Sequence, residues 1–278
     1  MDFMMAILDY LLYGIVATLK QLVWVLGAPM VLALMMQGVT HLVRTRSARL
    51  MGAKPFYYFT APGTVLHELS HALFCVLFGH RITAMKLFQA GDDGTLGYVE
   101  HSWNPKSRYQ KIGNFFIGTG PIWIGSLAIY LSAHLLLSGP VFAPLQQIQL
   151  HDAAFSGGSA SLATFGLVGS ALWDILRHML SWEHVTRWQS YLFLYLVFAV
   201  GSHVTLSPPD LKGAWKGMVA LLVVLLLFNW ATLWIGDFAL EFSLVLARYA
   251  TVLTASMLLA LVLVSLLALL LLPVKRSR

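Results

Sequence analysis

Of 278 residues, 58% are hydrophobic and only 11% charged, against about a quarter charged in a soluble domain. This balance excludes an ordinary soluble enzyme and points to a chain that crosses a lipid bilayer several times. The formal charge of +6 comes with no basic face or binding module, so it is read as Lys and Arg flanking membrane segments, and no nucleic-acid partner is expected. The single cysteine, Cys75, excludes an internal disulfide and any cysteine-based zinc site.

The N-terminal stretch, residues 1–19, carries Asp2 and Asp9 and has no Lys or Arg before Lys20, unlike a cleavable signal peptide. It is expected to stay in the mature protein as an interfacial or partly inserted helix. Six spans are expected, the first near 21–43 and the second near 56–79, where Phe56-Tyr57-Tyr58-Phe59 makes an aromatic belt. In that second span Thr60 and Pro62 would open or kink the helix, and Gly79-His80 would end it. Residues 81–109 read as a β-hairpin around Gly91-Asp92-Asp93-Gly94, followed by a loop at Asn104-Pro105.

The third span is expected near 112–137, a loop over 139–160, and an interfacial or re-entrant helix over 161–180. Spans four to six are expected near 188–206, 214–235 and 249–273. The fold class is thus all-α and polytopic, with one small β-hairpin. Lys and Arg place the hairpin region (Arg81, Lys86, Lys106, Arg108, Lys111), the turn with Lys212 and Lys216, and Lys275, Arg276 and Arg278 on the cytoplasmic side. Arg44, Arg46, Arg49 and Lys54 oppose that assignment, because they fall on the other side of the second span.

That second span carries the chemistry. In His67-Glu68-Leu69-Ser70-His71, two histidines four residues apart lie on one helix face and can hold one metal ion, while Glu68 can act on a water as general base. The flanks are apolar, and ionisable groups at membrane depth mark function. A catalytic zinc needs a third protein ligand. His80, Glu100 and His101 are candidates in or beside the hairpin. Asp210, after the helix-breaking Pro208-Pro209, is the preferred one, although Asp after Pro-Pro also suits a helix N-cap. His203, seven residues earlier, is a candidate to polarise a carbonyl or stabilise an oxyanion, with a satisfied interior histidine as the plainer alternative.

In order, these elements resemble the site-2 protease family of intramembrane zinc metalloproteases, in its compact six-span bacterial form. His67-Glu68-Leu69-Ser70-His71 is similar to the family's metal helix, Arg81 to His101 to its membrane-associated hairpin, Gly120-Pro121 to its A-G-P element, and Asp210 to the aspartate completing the zinc site. Ser70 stands where the family often has Gly, and the family's Asn-x-x-Pro and Asp-Gly elements are absent. The resemblance implies a single metalloprotease-like membrane domain over 1–278. Within it, an N-terminal helix and first span cover 1–55, a catalytic core covers 56–216, and C-terminal spans cover 217–278. It implies one Zn²⁺ per chain held by His67, His71 and Asp210, catalysis by Glu68 with His203, and a transmembrane protein as substrate. The expected location is the bacterial cytoplasmic (inner) membrane, and the oligomeric state is left open. The alternatives are an inactive relative acting as a binding partner or chaperone and, behind it, a transporter using buried ionisable groups.

Overall fold

The computed structural model describes residues 2–91, 94–137, 170, 173–179, 181–233, 235 and 238–272. The expected loop over 139–160, Asp92 and Asp93 of the hairpin turn, most of the 161–180 segment and the basic tail lie outside them. The described chain is mostly helical with one antiparallel two-stranded sheet.

α1 (Asp2–Leu22) runs through a π-helical turn (Val23–Gly27) into α2 (Ala28–Met51). Pro29 has no N–H to give the carbonyl four residues back, and the wider π turn just before it absorbs that gap. α3 (Ala53–Phe59) and α4 (Ala61–Leu77) are separated at Thr60, whose hydroxyl donates to the Phe56 carbonyl at 3.0 Å. α4 ends at Gly79, which takes φ 67°, so that the His80 N–H reaches the Cys75 carbonyl at 2.8 Å.

β1 (Arg81–Lys86) pairs antiparallel with β2 (Tyr98–Ser102), with a bulge between Ile82 and Ala84. α5 (Arg108–Leu136) follows, capped by Ser107, with Pro121 in its interior. The short α6 (Trp182–Val185) and α7 (Trp188–Gly201) precede α8 (Pro208–Thr232) and α9 (Phe238–Leu270). α5 is the central helix and packs on α4, α7, α8 and α9, while α2 packs on α9. Met36, Val43, Ile129, Phe193, Val197, Leu259 and Val264 form the middle of the core.

Among the described residues four helical stretches are long and apolar enough to cross a membrane: Met4–Met51, Arg108–Leu136, Pro208–Thr232 and Arg248–Leu270. Their outward faces carry exposed Leu8, Leu12, Val31, Leu34, Val223, Leu227, Leu266 and Leu269, as a lipid-facing surface would. The first expected span, 21–43, lies inside one helix that runs continuously from α1 through α2. The zinc-motif helix α4 has 17 residues and α7 has 14. At 1.5 Å per residue they reach roughly 25 and 21 Å, short of a hydrocarbon core of about 30 Å. α7 stops at Gly201, so the fourth expected span ends several residues early and His203 lies in the turn beyond it, not on the helix of Asp210.

The hairpin doubles back along α4. It starts at the C-terminal end of that helix; Gly97 lies against Glu68 at mid-helix, and the Phe88 ring meets Tyr58 of α3 at 5.5 Å. Near its tip, the Arg44 guanidinium donates to the Gly94 carbonyl at 3.2 Å and to the Tyr57 hydroxyl at 2.7 Å. The basic end of α2 and the hairpin tip therefore meet at one end of α4, and the hairpin base lies at the other.

Candidate metal centre

His67 and His71 lie one turn apart on α4, and each ring is fixed through Nδ1. His67 Nδ1–H donates to the His203 carbonyl at 2.8 Å, and His71 Nδ1–H donates to the Ile117 carbonyl at 2.7 Å. A carbonyl can only accept, so both protons sit on Nδ1 and both Nε2 atoms present lone pairs. Those two Nε2 atoms are 3.1 Å apart.

Asp210 completes the convergence. Its Oδ1 lies 3.4 Å from His71 Nε2 and its Oδ2 3.8 Å from His67 Nε2. One ligand atom from each of the three residues lies within 4.8 Å of the other two. Bonds of 2.0–2.1 Å around tetrahedral zinc place ligand atoms roughly 3.3–3.4 Å apart, so the spacing suits one small cation. Three acceptors facing one another with no donor between them repel unless a cation sits among them, and two imidazoles with a carboxylate are a donor set for zinc.

The backbone reasons for this geometry are local. Asp210 is the N3 residue of α8: its Oδ2 accepts from the Ser207 N–H at 2.8 Å, and the Ser207 hydroxyl accepts from the Asp210 N–H at 3.3 Å. The N-cap is therefore Ser207, and Asp210 serves the helix start and the cluster together. α8 reaches this position because Gly118 of α5 has no Cβ; one there would lie 2.7 Å from Ala214 N and closer still to the Asp210 carbonyl oxygen. Gly120 likewise accommodates Ser70, whose hydroxyl bonds the His67 carbonyl at 2.6 Å. At the far end of α4, Gly63 lets α7 approach until a Cβ would strike the Ala199 carbonyl.

A cavity of ≈ 330 Å³ opens onto the cluster, lined by His67, Glu68, His71, Asp210, Asn114 and His101 among others. Glu68 is buried, and Gly97 covers it so closely that a Cβ would lie 2.6 Å from Glu68 Cγ. Another hollow of ≈ 600 Å³, by Trp173, Asp174, Arg177 and His178, shares none of these side chains.

The His203 ring does not line the cavity. Its Nδ1–H donates to the Ala199 carbonyl at 3.0 Å, and its Nε2 accepts from the Thr64 hydroxyl at 2.9 Å. Its contribution to the centre is its carbonyl. His101, set aside as a hairpin residue on sequence grounds, does line the cavity. Its Nδ1 lies 3.0 Å from His80 Nδ1, while His80 Nε2–H donates to the Gln110 carbonyl at 2.8 Å. Burial holds His80 below the usual imidazole range; burial, then the charges of His80, His71 and Lys216, push His101 down to about 4.

Sequence reasoning missed Asn114, Gly97 and the two carbonyls. Gly118 was visible only within a small-residue stretch. Compared with protein-family models, with curated proteins and with solved structures, the chain matches none.

Proposed function

We propose that this chain is a zinc-dependent intramembrane endopeptidase of the site-2 protease type. The observation that carries the proposal is the meeting of His67, His71 and Asp210 beside buried Glu68 at one cavity. α3 with α4, and α7 together with the extended chain that follows it to Leu206, are read as two further crossings beside the four long helices, giving six in a bacterial cytoplasmic membrane.

Zinc bound there supplies a Lewis acid that polarises a peptide carbonyl and acidifies water. His67 and His71 offer Nε2 to it, oriented by the His203 and Ile117 carbonyls, and Asp210 offers a carboxylate oxygen. Glu68 takes the proton of the attacking water and delivers it to the leaving amide nitrogen. The ring of His203 is engaged with Thr64 and Ala199, so its contribution is to position His67. Asn114 and His101 supply polar contacts for a bound peptide from the cavity wall.

The substrate is a transmembrane segment of another protein, single-pass or signal-anchored. Its peptide bonds are hidden in helical hydrogen bonds, so it must unwind before cleavage. The hairpin passes beside Glu68, and its strand edge offers an unwound segment hydrogen-bonding partners in place of the lost helical ones.

The test compares membrane-protein fragments in cells carrying the native chain or Glu68→Gln, together with zinc content of both purified proteins. The proposal expects about one zinc per chain in each and fragments only with the native chain. Fragments persisting with Glu68→Gln remove the base. Zinc absent from both proteins removes the enzyme reading in favour of a non-cleaving binding partner.

A further inference from the structure

The carbonyl that holds His71 is one its own helix cannot use. In an α-helix each C=O accepts from the N–H four residues on, and four residues after Ile117 stands Pro121, which has none. The Ile117 oxygen takes the His71 Nδ1–H instead, at 2.7 Å and out of contact with solvent. Pro62, Pro208 and Pro209 sit in first turns, where the missing N–H does no harm, and at Pro29 a π turn absorbs the gap. Pro121 stands deep inside its helix, buried between buried neighbours Gly120 and Ile122.

We propose that Pro121 is a positioning residue of the metal centre: by withholding the helical partner of Ile117, it turns that carbonyl toward His71 and fixes the His71 proton on Nδ1. The other ligand histidine is held in a similar way. The His203 carbonyl lies just past the end of α7, where helix carbonyls have no onward N–H to accept from. Both rings are thus oriented by backbone oxygens with no helical N–H to accept from, one in the turn past a helix end and one four residues before a proline. Carbonyls have a second lone pair, but a C=O in an unbroken helix points along the axis toward its partner, away from a ring approaching from the side. This inference rests on reading the cluster as a metal site.

Pro121→Ala restores the N–H with the best helix former, so the variant is expected to fold and to be no less stable than the native chain. Two readouts on detergent-purified protein test it. In chelator competition with Zn²⁺, affinity is expected to fall about 10- to 100-fold, the usual effect of losing a ligand's supporting hydrogen bond. In metal-free protein, the imidazole ¹⁵N shifts of His71 are expected to move from the Nδ1–H tautomer to a mixture. Gly38→Ala, whose added methyl meets nothing within 4 Å, is the control and should change neither. Affinity within twofold of native with an unchanged His71 tautomer would overturn the proposal, as would a Pro121→Ala protein less stable than native, which would make the proline a packing residue. If the native chain binds no zinc, the metal reading fails, while the tautomer shift still decides whether Pro121 sets His71.

Discussion

Gly118→Ala adds one methyl group where α5 and α8 cross, at a residue that is not itself a ligand. The new Cβ would stand 2.7 Å from Ala214 N and 3.0 Å from Ala214 Cβ, and nearer still to the Asp210 carbonyl oxygen. Atoms of this size rest at about 3.5 Å, so the start of α8 must retreat by about 0.8 Å or α5 must deform. All the opposing atoms named are backbone or Cβ atoms of a helix, which cannot swing aside. Overpacking of this kind costs about 1–3 kcal/mol, well within what a buried helix pair survives. Metal ligands tolerate only about 0.2 Å, so a carboxylate carried back by about 0.8 Å leaves the cluster. The expected result is a folded protein whose zinc affinity drops at least about 100-fold in chelator competition, a larger loss than for a supporting hydrogen bond alone. Gly213→Ala, on α8 itself and facing open space, should bind zinc as the native chain does. A Gly118→Ala protein that keeps native zinc affinity would refute the idea that this glycine delivers Asp210.

Three further expectations are independent of it. Ser207→Ala should cost about 1 kcal/mol of stability and keep zinc, whereas Asp210→Ala should lose both the cap and the metal; denaturation curves with metal analysis separate the two roles of Asp210. Asn229→Leu removes three bonds that join α8 to α1, two with Gln21 at 3.0 Å and one to the Thr18 hydroxyl at 2.8 Å. It should destabilise by about 1–3 kcal/mol, with most of the loss recovered in Gln21→Leu/Asn229→Leu; equal stability of the single and double variants would speak against the pair. His101 is held at about 4 in the folded state, so between its ordinary value and that pH the unfolded chain binds the extra proton. Its neutral form therefore stops protecting the fold as pH falls below about 6.5, and the loss from pH 7 to 5 should be at most about 2 kcal/mol. His101→Gln should flatten that slope in unfolding measurements, and an unchanged slope would remove His101 as its source.

His67 and His71 were legible in the sequence because helical spacing alone puts them on one face, and Glu68 because it directly follows the first of them. Asp210 was legible less directly, through Pro208-Pro209, and its dual use needed the position of Ser207 to be seen. The hairpin followed from its glycine turn, and its strands fall within the expected region. What could not be read was the backbone: that the Ile117 and His203 oxygens face the rings depends on how three helices pack. The break at Thr60 was legible from Thr60 and Pro62, whereas the apolar run near 188–206 says nothing of where Gly201 ends a helix. His101 was named only as a possible ligand beside the hairpin; its place on the cavity wall could not be read, because a hairpin's path over its neighbours is a tertiary property.

A ribbon of two strands has two rims whose amide and carbonyl groups lack a third strand. Here that ribbon lies alongside α4 from its C-terminal end to the level of Glu68, and the connection beyond it continues to Tyr58. With α4 in the bilayer, those groups would sit at depths where acyl chains offer them nothing to bond, and such exposure does not persist. Lipid would then be kept off that flank by an aqueous trough or, on the proposed function, by a bound substrate segment. A cysteine scan along β1 with a water-soluble reagent would trace the trough as a run of labelled positions reaching mid-membrane.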